Sequence, residues 1–253
     1  AAAKIICNLI LGPTTASALS ASTAPFKDVP TTNNFAGYIT YCAQQGIISG
    51  YGDGTFRPTG TLTGNAFMKM LLGALGYDSS IEHYTGSNWQ VNVTKQAIGI
   101  GLDDGNDDFV GSRTVTRQEA CLYAFNMINA TMVEYDQKST VVVGDVTTNN
   151  TSTRDEVANS NRDDNTIKQD GKMQFAEKYF PRLTRTAADT DAFGRPANEW
   201  KYRSEVIGKY ADDTDLIATY EGTKVEKGEL YSLVGSSVVN GIDDGKSTLT
   251  VWV

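Results

Sequence analysis

The first half of the chain alternates between amphipathic stretches and glycine-rich segments. Apolar residues spaced mostly three or four apart over residues 38–42 precede a segment that begins at Gly46, and the same spacing over residues 89–97 precedes one that begins at Gly101. This spacing is typical of one buried face of a helix, and the glycines that follow are typical of tight turns. The pattern therefore predicts two helices that each end in a glycine-rich loop.

The two helix–loop patterns are copies of one repeat. Phe56 and Phe109 lie 53 residues apart, as do Thr63 and Thr116, and each threonine opens a second apolar run. Both threonines are placed to cap these second helices, and Glu119 completes a capping box with Thr116. A helix pair this short cannot bury its own apolar stripe, so we expect neighbouring repeats to stack.

The start of the chain fits the second helix of an earlier repeat, because residues 2–7 follow the same apolar pattern. Lys4, the apolar run and the segment Ala16-Ser17-Ala18 also imitate a signal peptide. Against that interpretation, an asparagine interrupts the run and no initiator Met precedes it. We interpret residues 1–24 as the remnant of a preceding repeat and its linker, in an element that began upstream.

Beyond residue 135 the pattern changes to short strand-like runs separated by polar turns. The predicted strands cover residues 140–143, 199–202, 215–220 and 248–253. An amphipathic helix is predicted near residues 172–180, stopped by Pro181, and a short one over residues 228–233. The expected fold class is α+β, with helical repeats followed by a small β-rich domain. The predicted domains are the remnant at 1–24, repeats at 25–80 and 81–135, and the β-rich module at 136–253.

Composition and charge narrow the function classes. The chain of 253 residues carries 30 acidic and 22 basic side chains, and its net charge of −8 argues against nucleic acid or an anionic membrane as the main partner. No apolar run approaches the roughly 20 residues that span a bilayer. The single histidine, His83, excludes a histidine-rich metal site, and residues 103–108 lack the glycine and glutamate of a calcium loop. We therefore expect no metal and no cofactor.

The three cysteines, Cys7, Cys42 and Cys121, are odd in number and include no C-x-x-C pair. This pattern predicts neither a zinc site nor a disulfide scaffold. Each cysteine lies in an apolar, helix-like stretch, where an unpaired cysteine usually behaves as a small hydrophobe. We expect all three to be buried and structural.

Three motifs together resemble the S-layer homology (SLH) domain family. They are the opening Phe26-Lys27-Asp28-Val29, the loop over residues 50–58 with its G-x-F-x-P ending, and the helix start Thr116-Arg117-Gln118-Glu119. The resemblance covers residues 25–131, with a remnant over residues 1–12. It implies a secreted module of the bacterial cell wall, usually three repeats in a pseudo-threefold arrangement. Such modules bind a secondary cell-wall polysaccharide, often through a pyruvylated, anionic terminal sugar.

The candidate site follows from the chemistry of an anionic sugar, which requires a guanidinium for its carboxylate, N–H groups for its oxygens and a flat apolar face for its ring. Arg117 supplies the guanidinium beside the positive end of a helix, and the loops at 50–54 and 105–107 supply amides. Tyr51 or Trp89 is placed to stack on the ring. The candidate glycan-binding residues are Arg117, Thr116, Glu119, Asp28, Gly50, Tyr51, Gly52, Asp53 and Trp89.

Each candidate also has a purely structural interpretation. Trp89 heads an amphipathic helix and equally suits the core, and the glycines serve tight turns in any case. Asp28 suits three roles, which are to accept sugar hydroxyls, to hold an arginine in place or to cap the following turn. The second copy has Gly64 where the family has its arginine, so only one copy in this chain keeps that residue.

The expected function is non-covalent anchoring of an exported protein to cell-wall polysaccharide, and we expect no catalysis because no Ser/His/Asp set is evident. One alternative is a structural surface-layer or filament protein in which this chain mediates protein–protein contacts, including self-association. The retained Arg117 favours anchoring, whereas Gly64 favours assembly. A second alternative is an extracellular enzyme carried by the anchor, since a glycosidase that uses only carboxylates is compatible with 30 acidic residues.

Overall fold

A computed structural model of the protein describes residues 1–136, 140–143, 146–149, 153–160, 166–188, 190–191, 196–211, 216–221 and 248–252. The chain forms two compact units, Ala1–Leu183 and Thr184–Val253. The domain boundary expected at residue 136 lies inside the first unit. The short helix expected over residues 228–233 lies outside the described residues.

Most helices of the first unit occur where the apolar spacing predicts them, but the short helix over residues 13–17 was not expected. The helices are α1 (Ala2–Leu11), α2 (Pro13–Ser17), α3 (Ala36–Gln44), α4 (Gly64–Leu75), α5 (Trp89–Gly99), α6 (Arg117–Asn129) and α7 (Phe175–Tyr179). The helices α4 and α6 follow Thr63 and Thr116 directly, as expected of N-capped helices. Within the described part of the chain, no helix has the length and apolarity needed to cross a bilayer.

The helices of the first unit pack against one another in pairs. α1 packs on α3, α4 on α5 and α6 on α7, while α4 also contacts α1 and α6, and α7 reaches back to α1. Lys4 Nζ lies 5.6 Å from the centroid of the Tyr38 ring, and Lys69 Nζ lies 5.6 Å from that of the Trp89 ring. The same lysine–aromatic contact thus joins α1 to α3 and α4 to α5.

One hydrophobic core fills the first unit. Its fully buried side chains include Ile6 on α1, Ile39 on α3, Phe67, Leu71 and Leu72 on α4, and Tyr123 and Met127 on α6. Met132, Val133 and Phe175 belong to the same core. Because a fully buried side chain of this size contributes roughly 1.5–3 kcal/mol, these residues hold the segment after α6 against the helices. This packing explains why the first unit extends to Leu183.

Two short strand pairs follow α6 in the first unit. Strand β1 (Val133–Tyr135) pairs antiparallel with β4 (Arg154–Glu156), and β2 (Thr140–Val143) pairs antiparallel with β3 (Val146–Asn149). The strand expected at residues 140–143 is confirmed.

The helix α7 is shorter than the amphipathic helix expected over residues 172–180. Gln174 is its N-cap, so the helix begins one residue later. The preceding Met173 is extended, because its carbonyl accepts from Met132 N at 2.8 Å and its N–H donates to Val157 O at 2.8 Å. Because these hydrogen-bond partners are distant in sequence, the apolar spacing of the segment cannot predict that Met173 is extended.

The described residues of the second unit lie mainly in strands, as expected of a β-rich module. Strand β5 (Leu183–Ala188), which begins at the last residue of the first unit, is followed by β6 (Ala197–Tyr202), β7 (Glu205–Ala211), β8 (Leu216–Glu221) and β9 (Thr248–Trp252). One sheet has the order β5-β6-β7, with β6 and β7 antiparallel, and β8 pairs antiparallel with β9. The strands expected at residues 199–202, 215–220 and 248–253 are confirmed with small shifts of their ends.

The turn between β6 and β7 consists of Arg203 and Ser204, at φ of 53° and 70°. Two residues at positive φ form the hairpin turn whose twist suits the flanking strands. The usual sequence signal for that turn is Asn-Gly or Asp-Gly, and this chain has neither there. This explains why the sequence did not predict β7.

A substitution at Gly76 tests whether β1 packs closely against the end of α4. Gly76 ends α4 at φ of 105°, and a Cβ there would overlap the carbonyl oxygen of Val133 in β1. We expect Gly76→Ala to lower the free energy of unfolding by about 3 kcal/mol, since the left-handed backbone costs about 1–2 kcal/mol and the overlap adds a similar amount. Urea unfolding followed by far-UV circular dichroism measures the change.

Gly86→Ala is the matched control, because Gly86 also has positive φ, 76°, but no atom lies within 4 Å of an added Cβ. Its free energy of unfolding should fall only by the cost of the left-handed backbone, about 1–2 kcal/mol. Equal losses in the two variants would contradict the close packing of β1 on α4.

Candidate functional site

The glycine-rich loop over residues 50–58 is held by its own backbone. Tyr51 N donates to Thr55 O at 2.7 Å, and Gly54 N donates to Tyr51 O at 2.9 Å. Gly50 and Gly54 have φ of 65° and 80°, and a Cβ on Gly50 would overlap the ring of Phe26. Glycine is therefore required at position 50 both for the turn and for the close approach of Phe26.

Asp28 fastens this loop to the opening of the repeat. Its Oδ1 accepts a hydrogen bond from Phe56 N at 2.8 Å, and its Oδ2 accepts one from Arg57 N at 2.7 Å. The Phe56 N–H is the main cause that lowers the pKa of Asp28, with Arg57 N–H adding to it. The structure thus shows a role outside the three considered for Asp28, because its carboxylate anchors the backbone amides of the loop.

Asp53, Arg57 and Tyr51 form an exposed group on the same loop. Asp53 Oδ1 accepts from Thr55 Oγ1 at 2.6 Å and from Thr55 N at 2.9 Å, and Asp53 Oδ2 pairs with Arg57 Nη2 at 3.2 Å. The Thr55 hydroxyl is the main cause that lowers the pKa of Asp53 to about 2. The Arg57 guanidinium carbon lies 4.0 Å from the centroid of the Tyr51 ring. We call residues 26–28 together with 50–57 the loop cluster.

Arg57 is a member of this cluster that the sequence analysis missed. Its backbone has φ of 59°, an unusual value for a residue other than glycine. Such a conformation persists where the surroundings fix it, and here Asp28 holds the Arg57 N–H while Tyr51 and Asp53 hold the guanidinium. The G-x-F-x-P motif marks its position, but no sequence rule predicts the backbone angle.

The start of α6 is built as the capping box predicts. Thr116 Oγ1 accepts from Glu119 N at 3.1 Å, and Glu119 Oε2 accepts from Thr116 N at 2.7 Å. Arg113 Nη2 donates to Glu119 Oε1 at 2.9 Å. The Thr116 N–H is the main cause that lowers the pKa of Glu119. We call residues 113–119 the α6 start.

Arg117 is the first residue of α6 and is exposed. Its side chain forms no hydrogen bond or ion pair with any residue that the structure describes, whereas the neighbouring Arg113 is paired with Glu119. The free N–H groups at a helix N-terminus carry partial positive charge. The α6 start therefore presents an uncommitted guanidinium beside a positive helix end, which suits an anionic ligand.

Gly64 occupies the equivalent position on α4, and it is buried. A bridge joins Thr63 to Thr114, and Gly64 N donates to Arg113 O at 2.9 Å. A Cβ on Gly64 would lie 2.9 Å from the ring of Phe109. The loop before α6 thus covers the start of α4, and an arginine side chain has no room there.

Trp89 lies apart from both groups. It is the half-buried first residue of α5, it packs against the core, and Lys69 Nζ lies over its ring. No contact among the described residues joins Trp89 or the loop cluster to Arg117. The structure therefore brings the predicted residues together as two groups, with Asp28, Gly50, Tyr51, Gly52 and Asp53 in the loop cluster and Thr116, Arg117 and Glu119 at the α6 start.

A polar network that the sequence analysis missed ties β1 and β4 to the helices. Arg154 Nη1 donates to Glu82 Oε2 and to Gln96 Oε1, both at 3.0 Å. Tyr135 OH donates to Glu82 Oε1 at 2.7 Å, and Gln96 Nε2 donates to Tyr77 OH at 3.2 Å. Arg154 and Glu82 are 72 residues apart in the chain, so no local sequence pattern predicts that they form an ion pair.

The cysteines differ from the expectation in one case. Cys7 and Cys42 are buried, but Cys121 is exposed. It lies on the outer face of α6, whose buried side chains are those of Tyr123 and Met127. Across the described residues, no group of three or more His, Cys, Asp or Glu side chains is placed to hold a metal ion.

Comparison with known proteins finds a family match within the first unit. Residues 25–67, which include the opening motif and the glycine-rich loop, match the sequence model of the S-layer homology domain. A domain of this family indicates attachment at a bacterial cell surface or cell wall in general. The match covers one repeat and does not establish how many repeats the chain holds.

One curated relative is an endoglucanase of Bacillus sp. (strain KSM-635). It is 30% identical over 105 residues, which are 40% of this chain and 11% of the endoglucanase. The matched part of the chain thus spans about a tenth of that protein's length. No solved structure matches the chain.

Acid should destabilise the first unit through the carboxylates of both groups. The pKa values of Asp28, Asp53 and Glu119 are all lowered in the folded protein, so their contribution is complete above the unfolded values of about 4 and is lost as the pH falls through the folded ones. We expect the urea concentration at the unfolding midpoint to decrease as the pH is lowered from about 4 to about 2. In the Asp28→Asn variant, the midpoint should depend less on pH over this range. Asp107→Asn, at an exposed residue without a described hydrogen bond, should keep the wild-type dependence. A midpoint that rises on acidification would contradict the assignment.

Proposed function

We propose that the first unit anchors an exported protein to secondary cell-wall polysaccharide by binding an anionic sugar at the α6 start. The observation that carries the proposal is Arg117, an exposed guanidinium without a described partner at the positive end of a capped helix. The S-layer homology match supports the setting, since it indicates the bacterial surface. The sugar carboxylate, for example that of a pyruvyl group, is the chemical partner that the guanidinium prefers.

Within this proposal the residues of the α6 start have different roles. Arg117 is the ligand residue, and its planar guanidinium donates two parallel hydrogen bonds to one carboxylate. Thr116 and Glu119 position it, because their reciprocal hydrogen bonds fix the first turn of α6. Arg113 neutralises Glu119, so that this carboxylate does not repel the anionic ligand as strongly. The proposed anion site is therefore locally positive, because Arg117 and the N-terminus of α6 lie there, although the net charge of the chain is −8.

The loop cluster supplies a second contact surface in the same proposal. Tyr51 is 50% exposed, and the Arg57 guanidinium stacked on its ring holds it in one orientation. A rigid, half-exposed aromatic ring is suited to the apolar face of a sugar. Two weak contacts along one polymer raise the overall affinity through effective concentration, without either being strong alone.

We propose binding rather than catalysis as the role of these residues. The 105 residues shared with the endoglucanase are 11% of that protein, and we attribute them to a common attachment module. The carboxylates of Asp28, Asp53 and Glu119 are engaged by backbone amides and arginines, which suits positioning rather than acid–base chemistry.

One observation favours the alternative of surface-layer or filament assembly. In the second unit, the apolar side chains of Val206, Ile207 and Tyr210 on β7 are 56%, 52% and 48% exposed. Exposed apolar groups of this kind are typical of protein–protein contacts. Sedimentation velocity over a range of concentrations tests it, and a chain that stays monomeric would exclude self-association.

Co-sedimentation with purified wall sacculi tests the anchoring proposal. We expect the wild-type chain to pellet with untreated sacculi and to remain in solution after hydrofluoric acid has removed the secondary polymer. Arg117→Ala should weaken binding by about 10- to 100-fold, because a charge-assisted hydrogen bond contributes roughly 1.5–3 kcal/mol.

Lys95→Ala is the matched control, since it removes one positive charge from an exposed position on α5 outside both groups of candidate residues. We expect it to change the affinity by less than about threefold, a small effect of the kind that rim charges have. Binding that survives polymer removal, or an Arg117→Ala variant that binds as well as wild type, would refute the assignment.

A further inference from the structure

Cys7 and Cys42 face each other across the contact between α1 and α3. Both residues are fully buried, and their Sγ atoms lie 3.6 Å apart. Cys7 Sγ also lies 3.5 Å from Tyr38 O, and Cys42 Sγ lies 3.7 Å from Ala3 O. Each thiol thus contacts the carbonyl one turn before the other cysteine, so the two side chains meet at the same level of two closely packed helices.

We propose that Cys7 and Cys42 form a disulfide that joins α1 to α3 in the exported protein. A disulfide needs an Sγ–Sγ distance of about 2.05 Å, and side-chain rotation with a small approach of the helices supplies the difference of about 1.5 Å. This proposal revises the interpretation of the odd cysteine count, because the exposed Cys121 is the unpaired one. It depends on the surface location that the domain match indicates and not on polysaccharide binding.

The reaction is a thiol–disulfide exchange with a low-molecular-weight or protein disulfide as oxidant. One thiolate attacks the oxidant and releases its first thiolate, and the second cysteine then attacks the mixed disulfide and releases the other. The two cysteines lose two electrons and two protons, and the oxidant is reduced to two thiols.

Burial determines when this bond forms. Neither sulfur is accessible in the folded unit, so the exchange takes place after export but before α1 has closed on α3. Once formed, the bond is shielded from soluble reductants by the same packing. A cross-link between residues separated by 35 positions stabilises the fold mainly by restricting the unfolded chain.

Thiol counting on the full-length chain tests the proposal without any variant. The protein is folded in a glutathione buffer with reduced glutathione in excess over glutathione disulfide, unfolded in guanidinium with iodoacetamide, and analysed by mass spectrometry. We expect one alkylated cysteine, mapped by peptide analysis to Cys121, and three after reduction in denaturant. Three alkylated cysteines without reduction, or a disulfide that includes Cys121, would overturn the proposal.

The melting temperature provides the second readout. Reduction under denaturing conditions followed by refolding in reductant should lower the Tm of the first unit by roughly 10 °C. Cys121→Ser should show the same drop, whereas the double variant Cys7→Ser, Cys42→Ser should melt at one temperature with or without reductant. A Tm that reductant lowers equally in that double variant would exclude this pair as the cause.

Discussion

The packing of the loop before α6 on the first turn of α4 determines which of these two helix starts is accessible to a ligand. The loop before α6 lies across the first turn of α4. A β-bridge between Thr63 and Thr114 holds it there, and Asn65 N donates a hydrogen bond to Gly111 O. Gly64 and Gly111 allow this approach, since a Cβ on Gly111 would overlap the side chain of Asn65. One helix start is therefore covered, and the other remains open with its arginine exposed.

The segment after α6 completes the helical unit rather than beginning a separate domain. Phe175 on α7 enters the core, and Arg154 joins Glu82 and Gln96 across more than fifty positions of sequence. The helix α7 contacts both α6 and α1. The polar network and the buried side chains thus join the segment after α6 to the helices before it.

Local patterns predicted most of the helices, their threonine caps and most strands, because apolar spacing and capping residues act over a few positions. The family resemblance grouped Asp28 with the glycines in one candidate site, and in the structure Asp28 binds the amides of Phe56 and Arg57, which lie 28 and 29 positions away. What the sequence could not predict depends on contacts between distant segments. The burial of Gly64 and the positive φ of Arg57 are of this kind, since both follow from neighbours that only the folded chain supplies.

The central claim is that the open start of α6, and not the covered start of α4, holds the anionic sugar. The most direct measurement is a titration of the isotope-labelled protein with polymer fragments released by hydrofluoric acid, followed by ¹H–¹⁵N NMR. The account predicts the largest shift changes at the amides of residues 116–119 and at the Arg117 side chain, with residues 63–66 unchanged. Changes confined to the start of α4 or to the second unit would contradict it.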